Sequence, residues 1–336
     1  MSIYIWQNEV WQKLASMQER LPHALLLRGQ AGTGKYDFAE HLAQSLLCLN
    51  KDAQGHACQA CTSCSWFVQS HHPDYRLLTP EQESDNEDAP ASATGKKSQI
   101  SVAQVRDLFG FLELTSHQSG GRRVVVIHPA EALNVASANA LLKILEEPPA
   151  GVIFLLVSHQ PQRLLPTILS RCQKIDMPVP QEQAALAWLQ QNGVKDSAHY
   201  LAYAGGSPLL ALQMSAENNQ QLEGLWQSLS KGSKLDPFAV APLCAKQGMP
   251  AAVQALQKWV HDLVNCRLTG EIRYHEQSRN ALQGLAKSVD LSLLLELQRK
   301  LDQARKSATH PLNTELQLEN LLLQYVQIFP SAGGLR

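Results

Sequence analysis

The sequence predicts an α/β phosphate-loop domain with a zinc module, then a small helical unit and a larger all-helical domain. Three features predict it. A glycine-rich loop, Gly29 to Lys35, follows an apolar run. Apolar runs and helical patterns alternate through the first half, and strand signals vanish from about Pro178.

HALLLRG, residues 23–29, reads as a strand feeding the loop. YDFAEHLAQSLLC then spaces Phe38, Ala39, Leu42, Leu46 and Leu47 at a helical period. RRVVVIH (122–128) and GVIFLLVS (151–158) are continuous apolar runs of the kind a doubly covered parallel sheet uses. Between them, SANALLKILEEPP sets Ala138, Leu141, Leu142 and Leu145 on one helical face and stops at Pro148. Strand and helix alternate as in an α/β domain. The segment from Pro80 to Gln99 is polar, first acidic and then basic, and reads as a solvated loop.

Beyond Pro178 the patterns are helical. PVPQEQAALAWLQQNG and HYLAYAGGSPLLALQMSA form a small unit with PVP at its entry. LEGLWQSLS, PAAVQALQKWVHDLVNC, LSLLLELQRKLDQARK and ELQLENLLLQYVQIF follow, separated by Gly, Pro and Asp. The expected division is 1–178, 179–213 and 214–336. Leu318, Leu321, Leu322 and Tyr325 form an aliphatic stripe suited to a core or a subunit interface.

Composition narrows the function classes. The 336 residues are 44% hydrophobic and 18% charged, with a net charge of −1, so no global basic field marks nucleic acid as the dominant partner. No apolar run reaches the ~18 residues that span a membrane. The start, MSIYIWQNEVWQ, lacks the basic and apolar regions of a secretory signal, so a cytoplasmic location is expected. Thiols stay reduced there, and clustered cysteines point to metal.

Cys48, Cys58, Cys61 and Cys64 have the spacing C-x9-C-x2-C-x2-C. Four thiolates so placed suit one tetrahedral Zn²⁺, and a closed four-sulfur shell leaves no position for reactive water. The expected metal is therefore structural. His56, His71 and His72 lie near but are expected on the surface. Cys172, Cys244 and Cys266 stand alone and read as buried thiols.

GQAGTGKY meets the phosphate-loop pattern G-x-x-x-x-G-K-[ST] except at its last position, where Tyr36 replaces the Mg²⁺-binding hydroxyl. Hydrolysis also needs a strand-end acid for the metal. The run VVVI ends instead in His128-Pro129-Ala130-Glu131, and imidazole is a poor ligand for an oxygen-seeking cation. Glu131 is expected in the following turn. Gly32, Gly34 and Lys35 still offer backbone N–H groups, a helix N-terminus and one cation to a polyphosphate. Two readings stay open for this vestigial loop: weak ATP binding without turnover, or an empty relic.

HALLLRGQAGTGK, the four-cysteine insert, ANALLKILEEPP and LPTILSRC occur in this order. Together they resemble the clamp-loader subunits of bacterial DNA polymerase III, across nearly the whole chain. The resemblance implies a RecA-like AAA+ domain with a zinc module, a small helical lid and a helical collar that mediates oligomerisation. Tyr36, His128 and Pro129 place the chain with the non-hydrolysing branch of that family. Leu209 agrees, because it stands in GGSPLLAL where the hydrolysing subunits carry a lid arginine. The resemblance implies that Arg171, of the tripeptide Ser170-Arg171-Cys172, reaches across a subunit boundary to a neighbour's ATP as an arginine finger. The implied partners are gamma/tau-type ATPase subunits and the delta subunit. The sliding clamp and primer–template DNA are implied through the assembled complex. A chain ending with the collar also suits the non-hydrolysing branch. An atypical gamma/tau-like ATPase holding Mg²⁺ through Glu131 or water is the alternative. A stand-alone zinc-dependent nucleic-acid-binding protein is a weaker one, since only Lys51 lies near the cysteines.

Overall fold

The computed structural model describes residues 3–80, 99–113, 121–216, 220–307 and 313–329. Most of the polar segment read as a loop, 81–98, lies outside them. The chain divides into two compact units, Met1–Ala184 and Ala185–Arg336.

The first unit is built on five parallel strands in the order β2-β3-β4-β1-β5. They are β1 (Ala24–Arg28), β2 (Tyr75–Leu78), β3 (Arg123–Ile127), β4 (Val152–Ser158) and β5 (Gln173–Asp176). β1, β3 and β4 coincide with the apolar runs. β2 and β5 are the two edge strands, and their sequences YRLL and QKID carry no comparable run. Leu26 pairs with Leu156 and Val125 with Phe154 in the central ladder.

Alternation along the strands feeds two cores. Leu26, Val125, Ile127, Phe154 and Leu156 face one side. There they meet helices α4 (Val102–Glu113), α5 (Val135–Glu146) and α6 (Pro166–Arg171). Leu25, Leu27, Val124, Val126 and Leu155 face the other side, against Trp11, Phe38 and Leu42. Helices α1 (Asn8–Ala15), α2 (Lys35–Leu47) and α3 (Thr62–Val68) cover that face. With both faces covered, the central strands can be apolar throughout. The loop after β1 therefore opens at the carboxyl edge of the sheet, next to the ends of β3 and β4. Ligands of open α/β sheets bind at this edge.

α7 (Glu182–Gln191) crosses the division between the units. In the second unit α8 (Ser197–Tyr203) and α9 (Pro208–Ala216) contribute to a small apolar cluster around Leu189, Leu201 and Ala211. The remaining helices are α10 (Gln220–Leu229), α11 (Pro237–Ala245), α12 (Met249–Leu268), α13 (Arg279–Ser288), α14 (Leu291–Ser307) and α15 (Thr314–Gln327). They enclose a larger core containing Trp259, Leu263, Leu318, Leu322 and Tyr325. The stripe on the last helix is thus core. Trp259 donates its indole N–H to the Tyr325 hydroxyl, which itself donates to the Leu229 carbonyl.

Candidate functional site

The phosphate loop has the conformation its glycines demand. Gly34 is left-handed at φ 80° and caps the start of α2. Lys35 is 2% exposed, and its amine donates to the Gln30 carbonyl of its own loop at 2.5 Å. Burial pulls that amine down to about 8, opposed by the charge of Glu131.

A turn at the N-terminus clasps the same loop. Gln7 is fully buried and donates to the carbonyls of Thr33 and Gly34 at 3.0 and 2.8 Å. Trp6 donates its indole N–H to Thr33 at 3.0 Å, and the Tyr4 hydroxyl donates to Asp37 at 2.9 Å. The Tyr4 and Trp6 rings stack 4.9 Å apart. Tyr4 lies so close to the loop that a Cβ on Gly34 would meet its ring at 2.4 Å. No sequence motif announced this clasp, although three large polar-tipped side chains in four residues are a usable signal.

The metal side of the loop is also filled. The Tyr36 ring stacks on the His128 imidazole at 4.6 Å, and His128 packs edge-on to His159 at 5.3 Å. Glu131 lies in a 3-10 turn, Ala130–Ala132, and one of its oxygens accepts the His159 backbone N–H at 3.0 Å. Among the described residues its other oxygen is buried without a hydrogen-bond partner, as are Nδ1 of His128 and of His159. Burial lowers both imidazoles, His159 to about 4. Mg²⁺ seeks near-octahedral oxygen ligands. One carboxylate oxygen among neutral imidazoles and an aromatic ring does not fit it.

The four cysteines converge. Cys48 caps the C-terminus of α2, Cys61 caps the N-terminus of α3, and Cys64 lies in its first turn. Their Sγ atoms all lie within 4.8 Å of one another, together with that of Cys58. A tetrahedron with bonds of about 2.3 Å to a central Zn²⁺ spaces its sulfurs ~3.8 Å apart. The observed Cys48–Cys58 and Cys48–Cys61 separations are 3.5 and 3.9 Å. Backbone N–H groups of Cys58, Cys61 and Cys64 point at the sulfurs of Cys48, Cys58 and Cys61. Such donors stabilise thiolates. This donor set fits zinc.

Of the three nearby histidines only His71 is exposed, contrary to the surface expectation for all three. His72 is buried between Ser63 and the Asp74 N–H. His56 stacks on Trp11 at 4.5 Å and hydrogen-bonds His41 of α2 at 2.8 Å. Each satisfies a packing need that residue type alone does not reveal. The cysteine loop also braces the N-terminal segment, since Trp11 of α1 donates to the Gln54 carbonyl and Gln18, just beyond that helix, to that of Gly55.

Arg171 is different. It ends α6, while its neighbour Cys172 is buried in the core beneath. The Arg171 side chain is 32% exposed. Nη1 donates to the Thr167 carbonyl at 2.9 Å and Nη2 pairs with Glu146 at the end of α5. Arg171 and Glu146 rim an open dimple of about 540 Å³ that His23, Leu145 and Ser170 also line. Leu209 sits in the first turn of α9, and its aliphatic side chain offers no donor to a phosphate.

The sheet order, the phosphate loop and the helical second unit define an AAA+ P-loop protein. Residues 6–181 match the family model described as DNA polymerase III, delta subunit, and residues 216–327 match that of its C-terminal part. A curated relative from Pseudomonas aeruginosa, DNA polymerase III subunit delta', is 37% identical over 348 aligned residues, covering 98% of this chain and 99% of its own. The protein of the same name from Yersinia pestis is 30% identical over 344, covering 97% and 96%. A solved structure of a gamma subunit-related protein from Thermotoga maritima aligns at 19% identity with a TM-score of 0.42, over 95% of this chain and 99% of that one. The chain belongs to the DNA polymerase III subunit delta' family.

Proposed function

We propose that this chain is a non-hydrolysing subunit of a DNA polymerase III clamp loader. It serves as a rigid scaffold and completes the ATP site of a neighbouring gamma/tau-type subunit with Arg171. One contrast carries the reading: Thr33, Gly34 and Lys35 of the chain's own phosphate loop are buried, while Arg171 stands one-third open to solvent on the rim of a dimple.

The chemistry follows from the side chains. A clamp loader hydrolyses ATP, and charge spreads over the transferred phosphoryl oxygens in the transition state. A guanidinium is permanently charged and presents forked donors that match those oxygens. Supplied in trans, it acts on charge that develops only in the transition state. Cys172, buried next to it, anchors the turn from which Arg171 projects.

Cys48, Cys58, Cys61 and Cys64 would hold a structural Zn²⁺, which ties the end of α2 to α3. Gly32, Gly34 and Lys35 are a vestigial loop: Lys35 is buried and donates to Gln30, and Tyr36 and His128 fill the metal position. This opposes an intrinsic ATPase. In the assembly the first domain would be 1–178, the lid 179–213 and the collar 214–336. Its partners would be the gamma/tau-type and delta subunits, and through the complex the sliding clamp and primer–template DNA. The site of action is the cytoplasm. Among the described residues no helix is long and apolar enough to cross a membrane.

The test is steady-state ATPase of a loader rebuilt with Arg171→Ala. Arginine fingers contribute about 10³–10⁵ in rate at the site they serve. DNA- and clamp-stimulated turnover at the adjacent site should therefore vanish, while gel filtration shows a normal complex. Arg171→Lys should recover little, because an ammonium lacks the planar fork. Unchanged turnover in a correctly assembled complex overturns the assignment.

A further inference from the structure

We infer that Glu146 is the positioning residue for Arg171, holding its guanidinium ready for an anionic phosphate on a neighbouring subunit. The inference rests on the reading of Arg171 as a finger in trans.

Arg171 is the last residue of a six-residue helix, a place where a long side chain has many rotamers. Three contacts restrict it. Nη1 donates to the Thr167 carbonyl at 2.9 Å and reaches the Ser170 hydroxyl at 3.4 Å, while Nη2 pairs with Glu146. The first two come from its own helix and hold the fork against the end of α6. Among the described residues only the Glu146 contact ties the fork to a second element. It runs to α5, which packs in the same core as α6.

Glu146 itself sits against expectation. It is the last residue of α5, where the helix dipole disfavours a carboxylate. Only a nearby cation offsets that, and Arg171 is the cation it meets. The guanidinium thus lies where the carbonyl ends of two helices converge with one carboxylate. That arrangement satisfies one edge of the fork. Five N–H donors are more than these partners use. Among the described residues the rest have no partner, beside the dimple that His23 and Leu145 line and that has room for a phosphate group. An arginine fixed beforehand loses less side-chain freedom when phosphate arrives. The Glu146 carboxylate also competes with phosphate for the same cation, so the sign of its effect is a real test.

The experiment uses the rebuilt loader with Glu146→Ala, Glu146→Gln and Arg171→Ala in parallel, over a range of ATP concentrations. Glu146→Ala should lower kcat at the adjacent site about 5-fold to 30-fold, equivalent to ~1–2 kcal/mol. The KM for ATP should stay within about two-fold, since the finger acts on the transition state. Glu146→Gln keeps an acceptor of the same length and should fall between Glu146→Ala and the native chain. Arg171 side-chain ¹⁵N relaxation in the free subunit should report a more mobile guanidinium in Glu146→Ala, with unchanged thermal stability. If Arg171→Ala lowers turnover but Glu146→Ala leaves or raises it, the positioning role is wrong and Glu146 is a restraint. If Arg171→Ala itself changes nothing, the trans reading falls and this inference falls with it.

Discussion

The phosphate loop and the Arg171 corner sit on the same parallel sheet, yet they have opposite exposure. Around the loop, polar groups are consumed internally: Lys35 by Gln30, the Thr33 and Gly34 carbonyls by Gln7 and Trp6, Asp37 by Tyr4. At the corner the cation is held by one carboxylate and two groups of its own helix, and a third of it faces solvent. Internal hydrogen bonds leave fewer polar groups for a ligand. Partial satisfaction leaves a charge available to a partner. On the proposed reading of Arg171, a chain can close over its own phosphate loop and still offer one cation to another subunit.

The contrast breaks most visibly if the buttress of the closed side is removed. The cysteine loop holds α1 through Trp11 and Gln54, and α2 through His41 and His56. The purified chain should contain one Zn²⁺, and Cys58→Ser or Cys61→Ser should lower both the metal content and the stability. Structural zinc sites in small peptides have apparent binding energies of about 10–16 kcal/mol. Here only the module and the helices it braces need loosen, so the loss should be a fraction of that. Trp11 fluorescence should shift as its stack on His56 at 4.5 Å is lost. Elemental analysis finding no zinc in chelator-free preparations would contradict the metal assignment.

A smaller effect sharpens the same side. At Gly34 a Cβ would collide with the Tyr4 ring at 2.4 Å, on a backbone with φ 80°. Gly34→Ala should destabilise the fold by about 1–3 kcal/mol through strain and overpacking. In Gly34→Ala/Tyr4→Ala the ring collision disappears, while the close approach to Gln7 Nε2 at 2.9 Å and the strained φ remain, so urea denaturation should show a non-additive pair. A Gly34→Ala variant as stable as the native chain would mean that Tyr4 does not close the loop.

How much of this was legible in the sequence differs by region. The three central strands and the cysteine cluster announced themselves, because a doubly buried strand must be apolar and a metal shell must repeat one residue type. The edge strands β2 and β5 did not: Arg76, Leu77, Gln173 and Lys174 face solvent, so no burial constraint writes a pattern there. Tyr36 and His128 could be read as defects, but not as a stacked pair at 4.6 Å. The clasp by Tyr4, Trp6 and Gln7 depends on contacts about 26 to 33 residues away, which no local period encodes. Glu146 was visible only as part of ILEEPP. Its meaning lies in a partner 25 residues on.

The smallest effect is set by pH. His159 follows β4 and packs edge-on to His128, with Lys35 and Glu131 as the charged groups that face it. Burial, then the Lys35 charge, pull its imidazole down to about 4, while Glu131 opposes them. In the unfolded chain the same group titrates near an ordinary ~6.5. The folded state therefore favours the neutral ring, and the unfolded state binds the extra proton between these values. Stability from this residue is complete above about pH 6.5 and is lost as pH falls toward 4. His128 shifts in the same direction and adds to the slope. Urea denaturation of the purified chain should show a midpoint that declines from pH 7 to pH 5. In His159→Gln, which keeps a neutral polar group, that decline should be shallower. Equal slopes for the native and variant chains would show that the ring is hydrated and that this side of the loop is less tightly closed than the structure shows.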